Sequence, residues 1–324
     1  MPYDRNAFIT RNAIEGVAFD FMTSATDFIA DALFTPKVVD NSRKKIYQRD
    51  TSKLRYVDTR KGTNAEPQLV DEQLFTSDIT LEEHKLGKEI NPRDVRDADM
   101  PSLLDQSRAA QQVTNHLLIY REKAAADLVT TAANYPSALT SALAGGVRWN
   151  DPAGDPEADR VLINAALRNA CGGEANAVAM GVETFDKLTL PANFRDRTKA
   201  AGSGPVTDAM IKAYFKVDYF FIGRARYDSA NEGAAASIGG FWGTNAIFYR
   251  YNPSVGLEDT SFGHMYYMQA PFWSDVYVDL KRKGSAGAMT RVTVGTEYKL
   301  GPGFIESASS SKFSAGYLLR TVVN

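Results

Sequence analysis

Residues 99–132 read DMPSLLDQSRAAQQVTNHLLIYREKAAADLVTTA, with no glycine and a single proline, Pro101, near the front. Apolar residues recur at Leu103, Ala110, Val113, Leu117, Ala124, Leu128 and Ala132, at spacings of three, four or seven. That is the repeat of one helix face. Asp99 stands where an N-cap belongs and Pro101 near the first helical position, and nothing stops the pattern before Tyr135-Pro136. About 34 residues of helix would be ~50 Å long, several times the mean for globular proteins.

Working outward toward the N-terminus, the flanking chain is organised by charge. Residues 66–99 carry Glu66, Asp71, Glu72, Asp78, Glu82, Glu83, Glu89, Asp94, Asp97 and Asp99 against Lys85, Lys88, Arg93 and Arg96, a local charge of −6. Residues 43–62 carry Arg43, Lys44, Lys45, Arg49, Lys53, Arg55, Arg60 and Lys61 against Asp50 and Asp58, a local charge of +6. Both blocks have scattered apolar residues at strand-like positions: Ile46, Leu54 and Tyr56 in one, Ile79, Leu81, Leu86 and Ile90 in the other. Joined through residues 62–67, they form a long charged hairpin that cannot bury itself and must lie on something else. Complementary charge blocks on one projecting hairpin suit docking between subunits. Residues 1–36 read as an arm with spaced anchors, among them Phe8, Phe19 and Phe21, and one short helix near Asp27–Leu33.

Beyond the long helix comes a loop, then a helix capped by Asp155 with Pro156 in its first turn. Val161, Leu162, Ala165 and Ala166 are its expected buried stripe and Gly172-Gly173 its end. A buried strand over 177–180, a turn of helix over 184–188, a helix over 205–215 and an apolar strand over 219–222 complete an α+β lobe. From Gly239 onward only strands are expected, over 246–251, 264–268, 276–280, 292–298 and 317–323.

The chain has 324 residues, a net charge of −2 and 44% apolar residues, enough for two or three lobes with a sizeable core. One cysteine, Cys171, forms no internal disulfide and reads as a small core residue. No window approaches the ~18 apolar residues of a membrane span, and the first ten residues lack a secretory pattern, so no membrane association is expected and a reducing cytoplasm fits. Near-neutral charge argues against a dedicated nucleic-acid binder.

Phosphate-loop, nucleophile-elbow and zinc-protease motifs are absent. His84, His116 and His264 lack metal-site spacing. Asp94, Asp97 and Asp99 have neither the glycine nor the distal glutamate of a calcium loop, and read as acids at a helix start. The aromatics of 219–222 and 248–251 could stack on bases but read as core. No catalytic residue, cofactor or metal is therefore assigned, and an enzyme would have only the acidic cluster to work with.

The order of these parts, together with several local strings, resembles the tailed-bacteriophage major capsid proteins of the Hong Kong 97 type. The strings are Ala177 to Leu188, a strand followed by a short helix, and Tyr219 to Ala225, an apolar strand running into a polar loop. With them stands Phe241-Trp242-Gly243-Thr244-Asn245-Ala246-Ile247-Phe248-Tyr249, followed by Thr260-Ser261-Phe262-Gly263.

The resemblance implies an α+β fold with an N-terminal arm (1–36), an extended E-loop with its flanking P-domain strands (37–98), a P-domain spine helix (99–145), an A-domain (146–255) and strands returning to both domains (256–324). It also implies a non-enzymatic shell subunit whose main partner is itself, in hexamers and pentamers around double-stranded DNA held by weak, non-specific contacts. Intersubunit contacts would fall on Arg43, Lys44, Lys53, Arg55, Arg60, Lys61, Glu82, Glu83 and Glu89, with Phe8, Phe19 and Phe21 anchoring the arm. The chain starts almost directly with the arm, without the N-terminal scaffolding region of some members. A separate scaffolding protein is therefore expected, with a portal and, in some members, a decoration protein. Lys53 and Lys61 lie where some members cross-link to a neighbour's asparagine, but no partner asparagine is identified and the cross-link is not carried over. An encapsulin-type nanocompartment shares the fold and encloses protein cargo instead.

Overall fold

The computed structural model describes residues 14, 16–18, 20–22, 26–49, 56–60, 66, 69, 74–90, 102–189, 208–231, 233–253, 260–268, 276–283, 289–305 and 311–324. Phe8, Phe19, Lys53, Arg55, Lys61, the acidic cluster at 94–99 and the cap expected at Asp99 lie outside them.

A single helical turn, α1 (Ala30–Leu33), runs into β1 (Phe34–Val39). The reading of 1–36 as one arm is corrected here, because β1 is a sheet strand. It pairs in parallel with β11 (Gly263–Met268), Phe34 opposite Gly263. As an edge strand β1 tolerates Pro36, whose missing N–H would break a central ladder. The pairing joins residues more than 200 apart, and no local pattern announces it. β2 (Arg43–Arg49) and β3 (Leu74–Thr80) form a separate antiparallel ribbon with Arg43 opposite Thr80 and Arg49 opposite Leu74.

Next comes β4 (Glu82–Ile90), which leaves the ribbon and joins a larger sheet. The axis of that sheet is β13 (Met289–Pro302), paired along one side with β4 and on the other with β12 (Val276–Lys283) and then β11. The long helix is α2 (Ser102–Thr130), 29 residues and about 44 Å at 1.5 Å per residue. Ala109, Ala110 and Val113 on it pack against Val278, Val292 and Val294, and Ile14 and Ala18 close the same cluster. The last carbonyls of α2 do not stay orphaned. Tyr135 donates its hydroxyl to the Val129 carbonyl at 2.8 Å, Asn134 its amide to Leu128 at 2.7 Å, and Thr130 and Thr131 their hydroxyls to Ala126 and Asp127.

The second sheet has the order β5 (Thr140–Ala142), β14 (Gly316–Arg320), β10 (Ala246–Tyr249), β6 (Ala177–Gly181), β7 (Tyr219–Gly223). It is covered on both faces, so its central strands read as unbroken apolar runs. Ala177, Ala179, Ile247 and Tyr249 face α2 with Leu33, Phe34, Trp242 and Phe262. Val178, Met180 and Phe248 face α3 (Pro156–Cys171) and α5 (Asp208–Phe215), with Trp149 between them. A shorter helix, α4 (Val182–Thr189), follows β6 directly, and a small hairpin, β8 (Arg226–Asp228) with β9 (Ile238–Gly240), follows β7.

The caps of α3 are as expected: Asp155 accepts from the Glu157 and Ala158 N–H groups, and Gly172 takes φ 72° at the C-terminal end. Its stripe is not. Val161 and Leu162 are exposed, and the buried residues are Pro156, Arg160, Ile163, Asn164, Leu167 and Cys171. Asn164 gains burial by accepting from the Ala175 N–H at 3.2 Å, which fixes the face at a polar residue that hydrophobicity alone passes over.

Candidate assembly interface

The β2–β3 ribbon is a two-stranded element that stands apart from both larger sheets. Its seven-residue strands span about 23 Å at 3.3 Å per residue. Each is the other's ladder partner among the described residues. The base of the ribbon is packed through Val39, Ile79 and Leu81 on Tyr266 and Met268, and is closed by the Leu81 N–H donating to the Ser42 carbonyl. Arg43, Lys44 and Lys45 are exposed, with Lys44 bonded to Asp40 at 2.7 Å. Beyond the ladder, Arg60 is exposed, Tyr56 is 89% exposed and Leu69 88% exposed.

Glu82, Glu83 and Glu89 are not on this ribbon, which corrects their placement among its contacts. They stand on β4, the outer neighbour of β13, where Glu82 pairs with Lys299 and Glu89 with Arg291 of β13, while Glu83 pairs with Lys85. The negative block is therefore split. Its first strand supplies the ribbon and its second belongs to the sheet beside α2, with much of its charge neutralised at home. The Lys299 hydrogen bond holds the Glu82 carboxyl below the usual range. Phe21 is partly buried.

Alongside α2 lies an open groove of about 210 Å³ lined by Glu82, His84, Tyr120, Leu128, Tyr298 and Leu300. The His84 ring sits 4.6 Å from that of Tyr298 and 5.1 Å from that of Tyr120, and burial lowers the pKa of the imidazole. The buried Tyr298 hydroxyl has no hydrogen-bond partner among the described residues. His116 is exposed on α2, and His264 is buried on β11 with Ser261 at 3.2 Å. No group of metal-ligating side chains occurs among the described residues. Cys171 is buried against Phe304 and Ala315.

Sequence reasoning missed a charged cluster beside α1. Glu122, 0% exposed on α2, accepts from the backbone N–H of Ile29 at 3.1 Å, from that of Ala30 at 2.8 Å and from the indole N–H of Trp242 at 2.8 Å. Beside it Arg121 is buried and bonded to Asp31 at 2.8 Å. Burial pushes the Glu122 carboxyl up to about 7 against the pull of those N–H donors, and the Asp31 charge pushes the same way. The signal was available: the face running Val113, Leu118, Ala125, Val129 passes through positions 121 and 122, where two charged residues interrupt it.

Trp242 itself lies over two paired glycines, Gly181 and Gly223. A Cβ on Gly223 would stand 2.3 Å from the indole Cδ1 and 2.4 Å from its Nε1, and one on Gly181 3.2 Å from the tryptophan Cβ. The strand ending at Gly223 and the Trp-Gly pair, quoted apart in the sequence, are thus one packing device.

The chain is 24% identical over 270 residues to the major capsid protein of Burkholderia phage BcepMu, across 83% of each chain. It is also 24% identical over 239 residues to the major capsid protein of Pseudomonas phage JBD67, across 72% of this chain and 76% of that one. Both of these relatives are phage major capsid proteins, and the chain is similar to them over most of its length. The chain has the Hong Kong 97 type fold, as its likeness to a solved phage-related protein from Bordetella bronchiseptica bears out: TM-score 0.72 at 21% identity, over 96% of this chain and 97% of that one. No family model matches the sequence.

Proposed function

We propose that this chain is a major capsid protein that closes into an icosahedral head of hexamers and pentamers around double-stranded DNA, acting as a structural protein without catalysis. The observation that carries this is the β2–β3 ribbon, a separate two-stranded element beyond which Tyr56 and Leu69 are exposed. An isolated pair of strands is marginal in water, and burial on a neighbouring copy supplies what the chain does not. In this reading the ribbon is the E-loop, α2 the spine helix of a P-domain completed by the β13 sheet, and the β10 sheet the A-domain.

A net charge of −2 suits such packing, because many copies lie close together without strong mutual repulsion and contact with DNA stays weak and sequence-independent. A scaffolding protein and a portal are the expected partners, and the site of action is the host cytoplasm during assembly and then the virion.

Cryo-electron microscopy of the purified protein, with scaffold supplied, tests the reading. Closed icosahedral particles with pentameric and hexameric units support it, and DNA inside the parent particle separates a viral head from a cargo compartment. Monomers or small oligomers under those conditions would reject it. Reversing Lys53, Arg55 and Arg60 together to glutamate should abolish particles while leaving the subunit folded by circular dichroism. Normal particles from that variant would reject docking through the ribbon.

A further inference from the structure

Residues 27–35 are tied to three parts of the molecule at once. The Asp27 carbonyl accepts from the N–H groups of Arg224 and Ala225 after β7, each at 3.1 Å. Tyr249 of β10 donates its hydroxyl to the Ala32 carbonyl at 3.0 Å, and Thr35 its hydroxyl to Asn252 at 3.0 Å. The spine helix contributes Glu122, whose two oxygens meet the N–H groups of Ile29, Ala30 and Trp242. Residues 27–35 are therefore tied to the β10 sheet and to α2, and the tie to α2 is one buried carboxylate.

Each donor facing Glu122 is an N–H, and among the described residues no cation lies within ion-pair distance of it, since the neighbouring Arg121 turns to Asp31. An ionised carboxylate with no water around it is expensive to hold, even with three donors. Once residues 27–33 lift away, water reaches the same group and solvates the anion far better. The anion thus favours the open arrangement, and the protonated acid favours the closed one, although a proton on either oxygen displaces one N–H donor.

We propose that Glu122, Trp242 and the backbone of residues 29–30 form a proton-controlled latch on the root of the N-terminal arm, tightened when Glu122 takes up a proton and loosened when it releases one. The latch belongs to the single subunit and does not depend on the shell reading. The other groups bearing on it are Asp31, which favours the protonated form, and Arg121, which opposes Asp31. Lys123 points outward to Asp127, and Tyr249 and Tyr298 stay neutral.

The test is amide hydrogen exchange of peptides covering residues 26–35 in the full-length subunit from pH 5 to pH 8, corrected for intrinsic exchange. With the group titrating near 7 when latched and near 4.5 when open, opening should increase roughly 70-fold across that range. Glu122→Gln should give a flat profile, and Asp31→Asn should move the rise to lower pH. A flat wild-type profile, an opposite trend, or the same rise in Glu122→Gln would overturn the latch. Should Glu122→Gln fail to fold, the indole N–H resonance of Trp242 in the wild type gives an independent reading. A midpoint near 7 supports the proposal and an invariant resonance between pH 5 and 8 refutes it.

Discussion

Gly223→Ala should destabilise the subunit far more than one methyl group suggests. The new Cβ would sit 2.3 Å and 2.4 Å from two atoms of the Trp242 indole and 3.3 Å from Ile29 Cδ1. Trp242 is 1% exposed, with its N–H committed to Glu122 at 2.8 Å, so the ring cannot retreat without giving up that bond. Forced overpacking costs about 1–3 kcal/mol and a hydrogen bond to a charged acceptor about 1.5–3 kcal/mol. Replacing a strand glycine returns about 0.5–1 kcal/mol. The net is a loss of about 1.5–5.5 kcal/mol, which lowers Tm by about 2–8 °C for a chain of this length.

Denaturant unfolding of the isolated subunit measures it, with Gly239→Ala as control, because a Cβ there meets nothing within 4 Å. The cycle with Trp242→Phe sharpens the test. Phenylalanine lacks the five-membered ring that carries both clashing atoms, so Gly223→Ala should cost at least about 1 kcal/mol less in that background. Equal costs in both backgrounds, or a Gly223→Ala variant as stable as Gly239→Ala, would refute the packing argument.

Asp155→Ala should cost about 1 kcal/mol by removing the acceptor for the Glu157 and Ala158 N–H groups, read as a lower denaturant midpoint with unchanged slope. Tyr56→Ala with Leu69→Ala should leave subunit stability within about 0.5 kcal/mol, since both side chains are exposed, yet should impair particle formation followed by light scattering. Two buried groups oppose each other in acid. Glu122 is held near 7 against an ordinary 4.5, so its contribution grows as pH falls from 7 to 4.5, whereas burial and Lys37 hold His264 near 4 against 6.5, so its contribution is lost as pH falls from 6.5 to 4. Each amounts to about 3 kcal/mol, and unfolding midpoints should therefore show a nearly flat wild type between pH 4.5 and 6.5, a His264→Gln variant that gains stability in acid and a Glu122→Gln variant that loses it.

Local chemistry made much of this fold legible. The 29-residue helix α2, the capped helix from Pro156 to Cys171 and four of the five strands of the second sheet follow from periodicity, capping residues and apolar runs, whereas β5 lies in a stretch that reads as loop. What stayed hidden depends on partners distant in sequence. β1 exists because Phe34–Val39 finds β11, and Glu82, Glu83 and Glu89 leave the ribbon because β4 finds β13. The buried face of α3 is set by Asn164 reaching the Ala175 N–H, so the more hydrophobic Val161 and Leu162 end in solvent. Glu122 is the same lesson at the candidate site, a charged residue on an apolar face whose meaning appears only with Trp242 and the arm beside it.

The two kinds of surface in this subunit divide its work. Both faces of the β10 sheet are filled by the chain itself, and the β13 sheet is covered by α2 over much of its length, so these parts are stable before any neighbour arrives. The ribbon is the reverse, with its base tied to Tyr266 and with Tyr56 and Leu69 beyond it exposed. A ribbon that folded firmly alone would have to match its neighbour in advance, whereas a marginal one takes its final shape on the surface that buries it and still departs from a rigid root. In the proposed shell the free energy of docking would then be spread over many modest contacts in every copy. Such a shell would tolerate the slightly different neighbour geometries of hexamers and pentamers, its symmetry coming from repetition of one adaptable contact on a subunit whose core stays the same.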